Sequence, residues 1–194
     1  DLAEFSADKP PVGTHVAHIP EAATLDVLHE IATNELLVDI ITGYFGAKPV
    51  LDSIQAWWSY PSGECAQEAE LFHRDNESIR FLKFFIYMTD VDDDSGPHVF
   101  VKGSAVSNKV TGLNRYSDEE VLSEYGAEAV KVMLGHAGDA FLEDTFGIHK
   151  GLPPKNKRRL LVQFRYSVYP TIFRSKIIVN NKHFDHKKID SLVC

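Results

Sequence analysis

Two histidine–aspartate pairs with one residue between them, His73-Arg74-Asp75 and His183-Phe184-Asp185, are the parts of this sequence best suited to chemistry. Side chains alternate along a strand, so positions 73 and 75 project to one face. A neutral imidazole beside a carboxylate supplies two ligands of a 2-His-1-carboxylate site, which holds non-haem Fe(II) and leaves coordination positions open. The spacing alone is weak evidence. Nine histidines and 15 aspartates among 194 residues give about 0.7 such pairs by chance. A second histidine from a distant strand has to decide the matter. His149, at a strand end between Gly147 and Gly151, lies where the backbone can approach closely. His15-x-x-His18 sits in an extended stretch with no third candidate ligand nearby.

Ten residues after His149, Arg159 lies at the opening of the strand Arg-Arg-Leu-Leu-Val-Gln-Phe-Arg-Tyr-Ser. Leu160, Val162, Phe164 and Tyr166 share one face, and Arg159, Leu161, Gln163 and Arg165 share the other. A solvated outer face would explain the polar side. A helix covering the apolar side instead turns the polar side toward a cavity, where an arginine presents a fixed fork of donors to a carboxylate. Arg158 takes that role if the register differs by one residue. Lys83 lies among Phe81, Leu82, Phe84 and Phe85, where an unpaired ammonium is costly. An anionic ligand, or Asp or Glu on a neighbouring strand, would relieve it.

These residues need a scaffold. Residues 1–23 read as an extended, proline-punctuated arm, and residues 24–46 as a helical layer. Within that layer Leu25, Leu28, Ile31, Ala32, Leu36, Leu37, Ile40, Ile41 and Tyr44 fall at three- and four-residue spacing, and Gly43 and Gly46 close it. Residues 49–169 are short β-branched and aromatic segments, interrupted by one helix that Ser117 and Glu120 open as a capping box. Residues 170–194 form a tail. The pattern predicts one domain, mainly β, a sandwich or jelly roll with N-terminal helices packed on one sheet.

A net charge of −8 argues against a general nucleic-acid binder, although basic residues gather at Lys155–Arg159 and Lys182–Lys188. Cys65 and Cys194 give neither a zinc spacing nor a disulfide framework. No apolar run approaches the roughly 18 residues of a membrane span, and no signal peptide pattern opens the chain. The expected location is the cytoplasm, with a small-molecule substrate and no membrane or nucleic-acid partner. Phosphate-binding glycine loops, nucleophile elbows and zinc-protease motifs do not occur.

Taken in order, His73-Arg74-Asp75, then "FLKFFIYMTDVDDDSGPHVFVKGS", then "GDAFLEDTFGIHKG" and an arginine-led strand resemble the phytanoyl-CoA dioxygenase family over roughly residues 55–168. The resemblance implies a double-stranded β-helix of cupin-like type and an Fe(II)- and 2-oxoglutarate-dependent dioxygenase. It implies iron ligands His73, Asp75 and His149, with Arg159 (or Arg158) holding the far carboxylate of 2-oxoglutarate. Lys83 and Gln55 become further contacts, and Trp57, Trp58, Tyr60, Tyr87 and Gln163 candidate pocket walls. His183-x-Asp185 follows every core strand, with none left to supply a second histidine. Halogenating relatives carry a small residue where Asp75 stands, so the carboxylate favours hydroxylation of a C–H bond, with succinate and CO2 as co-products of O2 consumption.

Two features depart from the family. Its glycine turn usually ends Pro-Gly-Ser-His, where this chain has Lys102-Gly103-Ser104-Ala105, and the chain is short. His98 reads as a strand residue near a turn rather than a ligand. The alternatives are a cupin-type metal enzyme that does not use 2-oxoglutarate and a jelly-roll binding module without turnover. Substrate identity lies beyond fold and metal site, which serve many substrates.

Overall fold

The computed structural model describes residues 15–63 and 65–169. His183-x-Asp185, the late basic run and the expected tail lie outside the described residues. Asn34 accepts a hydrogen bond from Leu37 N (3.3 Å) and so starts a new helix, dividing the helical layer into α1 (Asp26–Ala32) and α2 (Glu35–Phe45). Gly46, at φ 69°, ends α2 in the left-handed conformation, whereas Gly43 lies inside the helix rather than closing it. The buried stripe runs through Leu28, Ala32, Leu37, Val38, Ile41 and Phe45. Leu36, Ile40 and Tyr44 are exposed, because Val38 and Phe45 set the inward face about a quarter-turn away from the expected one.

The strands form two antiparallel sheets. The larger joins β1 (Val16–His18), β2 (Val50–Ser59), β8 (Arg159–Ser167), β3 (Phe81–Tyr87) and β6 (Ala140–Glu143), in that spatial order. The smaller joins β5 (Val130–Met133), β4 (His98–Val101) and β7 (His149–Gly151). Part of the expected N-terminal arm is thus an edge strand, with Val16 opposite Ser59 and His18 opposite Trp57, followed by a short 3-10 turn at Pro20–Thr24.

Alternation along β8 sorts the interior. Its outward residues Leu160, Val162, Phe164 and Tyr166 join Ile54, Ala56 and Trp58 in one core with the inward face of α1 and α2. Tyr166 donates its hydroxyl proton to Ala32 O (2.9 Å), pinning the end of α1 to the sheet. On the other face Arg159, Leu161 and Gln163 meet Gln55, Trp57 and Ser59 of β2 across the ladder. A second core, with Phe72, Val99, Val101, Tyr116 and Ile148, lies beneath α3 (Asp118–Tyr125), and the Ser117–Glu120 capping box forms as expected.

Phe164 is 0% exposed at the centre of the helix–sheet core. Phe164→Ala should cost about 3–5 kcal/mol in urea unfolding. A loss below about 1 kcal/mol would show that this contact does not hold the helical layer on the sheet.

Candidate metal centre and cavity

His73 and His149 exchange backbone hydrogen bonds, His73 N to His149 O at 2.9 Å and His149 N to His73 O at 3.0 Å. Residues directly opposite in such a pair put their side chains on one side, here with ring centroids 4.3 Å apart. Asp75 N donates to Thr145 O (2.9 Å), two residues beyond Gly147, its in-register partner, so the chain stays tied to this segment although the ladder breaks after His73. His73 is therefore in an isolated bridge rather than a regular strand, and pairing with the loop before β7 still aims residues 73 and 75 together. Arg74, between them, points the other way. Its guanidinium donates to Ser104 O (2.9 Å), Phe146 O (2.6 Å) and Val110 O (2.8 and 3.0 Å), tying three loops behind the site.

Among the described residues, His73, Asp75 and His149 form the group able to hold a metal ion, with ligand atoms all within 4.8 Å of one another. His73 Nδ1 lies 2.8 Å from Leu71 O, and His149 Nδ1 lies 2.9 Å from Gly147 O. A carbonyl only accepts, so each Nδ1 must carry the proton, which leaves each Nε2 to present its lone pair to a metal. His73 Nε2 is 3.6 Å from Asp75 Oδ1, and His149 Nε2 is 3.3 Å from Asp75 Oδ2. Burial alone would raise the Asp75 pKa, but Lys83, His149 and His73 outweigh it and hold the carboxyl well below its ordinary range. Burial likewise opposes the charged form of His149, yet the hydrogen bond and charge of Asp75 raise its pKa above the usual value. Two oriented imidazoles and an ionised carboxylate are the donor set that Fe(II) takes.

The triad opens on a cavity of about 270 Å3. Arg159 also lines it. Its guanidinium donates to Gly96 O and to Ser59 Oγ (3.3 Å), while Nε has no partner. Arg159 is 5% exposed, and burial pulls its pKa down. A buried guanidinium with an unused donor and no paired carboxylate among the described residues suits an incoming anion. Arg158 points out of the cavity, with its guanidinium 4.4 Å from the Trp58 ring centroid.

The structure brings Gln55, Trp57, Lys83, Arg159 and Gln163 to the same cavity as the triad. Gln163 Nε2 donates to Gln55 Oε1 (2.9 Å), making an amide pair on one wall. Lys83 has the carboxylate relief foreseen for it: Nζ lies 2.6 Å from Asp75 Oδ2 and 3.1 Å from Glu77 Oε2. Tyr60 and Tyr87 do not line the cavity. Tyr60 packs beside Trp58 in the helix–sheet core, and the Tyr87 hydroxyl is taken up by Met133 O (2.7 Å) and His98 N (3.3 Å). His98 was missed as a wall: it begins β4, lines the cavity, and places Nε2 2.8 Å from Glu143 Oε2. Burial lowers its pKa. Val16 and His18 line the cavity too, and their period-2 spacing was the available signal. Ala105, at the departed family position, is not a lining residue. Its neighbour Ser104 is structural, donating to Val101 O (2.7 Å) and accepting from Ile148 N (2.6 Å).

No protein-family model matches the chain, and no curated protein matches its sequence. Solved structures do match in fold. HygX from Streptomyces hygroscopicus, solved with nickel and 2-oxoglutarate bound, is 15% identical with a TM-score of 0.62, over 89% of this chain and 76% of that one. SnoN, the non-haem alpha-ketoglutarate-dependent epimerase from nogalamycin biosynthesis, is 16% identical with a TM-score of 0.65, over 87% and 70%. EctD from S. alaskensis, solved with bound Fe, is 17% identical with a TM-score of 0.62, over 90% and 68%. The chain has the double-stranded β-helix fold of these proteins. No helix among the described residues is long and apolar enough to cross a membrane.

Two measurements test the centre. A Cβ on Gly147 would meet Phe100 Cε2 at 2.6 Å and Asp144 O at 3.0 Å, displacing the carbonyl that orients His149. Gly147→Ala should weaken Ni(II) binding by roughly 10- to 100-fold in calorimetry, as second-shell changes do; unchanged affinity would remove Gly147 from the orienting set. A metal must also displace the proton that Asp75 favours on His149. Apparent Ni(II) affinity should therefore rise with pH through the raised His149 pKa and level off above it. A flat profile from roughly pH 6 to 8 would contradict ligation by His149.

Proposed function

We propose that the protein is an Fe(II)- and 2-oxoglutarate-dependent dioxygenase that hydroxylates a C–H bond of a small organic substrate, related to the phytanoyl-CoA dioxygenases. The carrying observation is that one cavity contains both an oriented His73–Asp75–His149 triad and a buried, incompletely satisfied Arg159. Fold likeness to proteins solved with nickel or iron and with 2-oxoglutarate supports the reading. The bound iron would supply dioxygen activation, one oxygen atom going to the substrate and the other to the succinate formed as 2-oxoglutarate loses CO2.

The chain's residues have separate tasks. His73, Asp75 and His149 hold the metal by Nε2, carboxylate and Nε2. Arg159, braced by Gly96 O and Ser59 Oγ, takes the distal carboxylate of 2-oxoglutarate. Gln55 and Gln163 keep amide atoms beyond their mutual bond for co-substrate or substrate, and Trp57, Phe85 and Leu161 exclude water from the reacting carbon. Lys83 lines the same cavity and pairs with the metal-binding carboxylate of Asp75 and with Glu77. The epimerase among the fold relatives gives a second outcome at the same carbon, inversion instead of hydroxylation, and product analysis separates the two.

Anaerobic addition of Fe(II) and then 2-oxoglutarate should produce the weak visible charge-transfer band of the chelate. His73→Ala should abolish it, and Arg159→Ala should require roughly 10- to 100-fold more 2-oxoglutarate, the worth of a charge-assisted contact. Bound metal without a band would favour the cupin-type enzyme, and no metal binding would leave a binding module.

A further inference from the structure

Lys83 is 6% exposed on the inner face of β3, and its ammonium touches one oxygen of the proposed metal-binding carboxylate. Nζ is 2.6 Å from Asp75 Oδ2 and 3.1 Å from Glu77 Oε2. Glu77 is in turn 3.2 Å from Arg165 Nη1, and Arg165 Nε is 3.2 Å from Asp52 Oδ2. Lys83 and Arg165 are direct partners in the β3–β8 register, so the chain of charges crosses β3, β8 and β2. Such a chain fixes the position of Nζ far more firmly than a lone surface pair would, because each buried charge is held from two sides.

Asp75 Oδ2 also lies 3.3 Å from His149 Nε2, so Lys83 and His149 share that oxygen, whereas Oδ1, 3.6 Å from His73 Nε2, has no lysine on it. We propose that Lys83 is a positioning residue that occupies Asp75 Oδ2 and restricts the carboxylate to one oxygen, Oδ1, toward the metal. The proposal rests on the reading of His73, Asp75 and His149 as ligands. Its consequence is coordination number. A carboxylate free at both oxygens can close on a metal in bidentate fashion and take a position that a chelating 2-oxo acid needs. Held at Oδ2, the carboxylate would offer a single oxygen, and the three side chains would leave room on a bound metal for a chelating 2-oxo acid.

Co(II) is the probe, because its visible d–d bands report coordination number without turnover. Wild type and Lys83→Met are loaded with Co(II) alone, and their spectra recorded before 2-oxoglutarate is titrated in. The Co(II)-only spectrum of Lys83→Met should shift toward a higher coordination number, and the 2-oxoglutarate Kd read from the spectra should rise on the order of tenfold. A wild-type protein that binds no Co(II) would overturn the metal-centre reading and the role of Lys83 with it. Binding by both proteins with identical Co(II)-only spectra would overturn the Lys83 role alone. That holds even if 2-oxoglutarate weakens, since that pattern means direct contact with the co-substrate. Should Lys83→Met fail to fold, Glu77→Gln loosens the outer anchor of Nζ and decides by the same spectrum: a shift in the same direction supports the role, and no shift overturns it.

Discussion

The reciprocal hydrogen bonds between the backbones of His73 and His149 are the constraint on which the site depends. They join the stretch before β3 to β7 and place two imidazoles on one side by pairing geometry alone, before any metal-binding preference acts. Asp75 is held beside them by a separate, register-shifted bond from its N to Thr145 O. The elements behind this pairing are arranged to preserve it. Arg74 anchors three carbonyls, Ser104 braces Ile148, and the Leu71 and Gly147 carbonyls choose the histidine tautomers. Because the paired segments are distant in sequence, the ligands meet only once the barrel has closed.

The larger sheet separates two kinds of interior. Its helix-covered face is apolar and close-packed, and this face supplies the stability. Its cavity face contains Lys83, Arg159, Gln163 and Arg165, all buried. Lys83 and Arg165 are compensated by Asp75, Glu77 and Asp52, whereas Arg159 keeps an unsatisfied Nε. A buried guanidinium that lines a cavity with a donor unused and no carboxylate beside it among the described residues suits completion by an anionic ligand.

Period-2 alternation made much of this legible in sequence. On β8 it separated Leu160, Val162, Phe164 and Tyr166 from Arg159, Leu161 and Gln163, and the choice of Arg159 over Arg158 follows from the same rule. Alternation gives a face, not a neighbour. Tyr60 and Tyr87 could not be excluded from the cavity wall, because their placement depends on where Trp58, Met133 and His98 lie in three dimensions. The partner of Lys83 was equally hidden, since Asp75 and Glu77 reach it from an irregular stretch whose path no periodicity encodes. In α2, three- and four-residue spacing fitted both Leu37–Ile41 and Leu36–Ile40, and only the sheet beneath decides between them.

β1 contributes Val16 and His18 to the cavity from the edge of the larger sheet, where it pairs with β2 from Val16–Ser59 to His18–Trp57. Beside it, His15 Nδ1 lies 3.0 Å from both carboxylate oxygens of Glu70, in the segment that leads to His73. This wall of the cavity is therefore held at a sheet edge and clasped by His15 and Glu70, while the opposite walls are woven into the sheets. Sheet edges open at lower free energy than central strands. The wall that β1 gives the cavity thus shares its stability with the His15–Glu70 clasp, which lies outside the His73–Asp75–His149 triad.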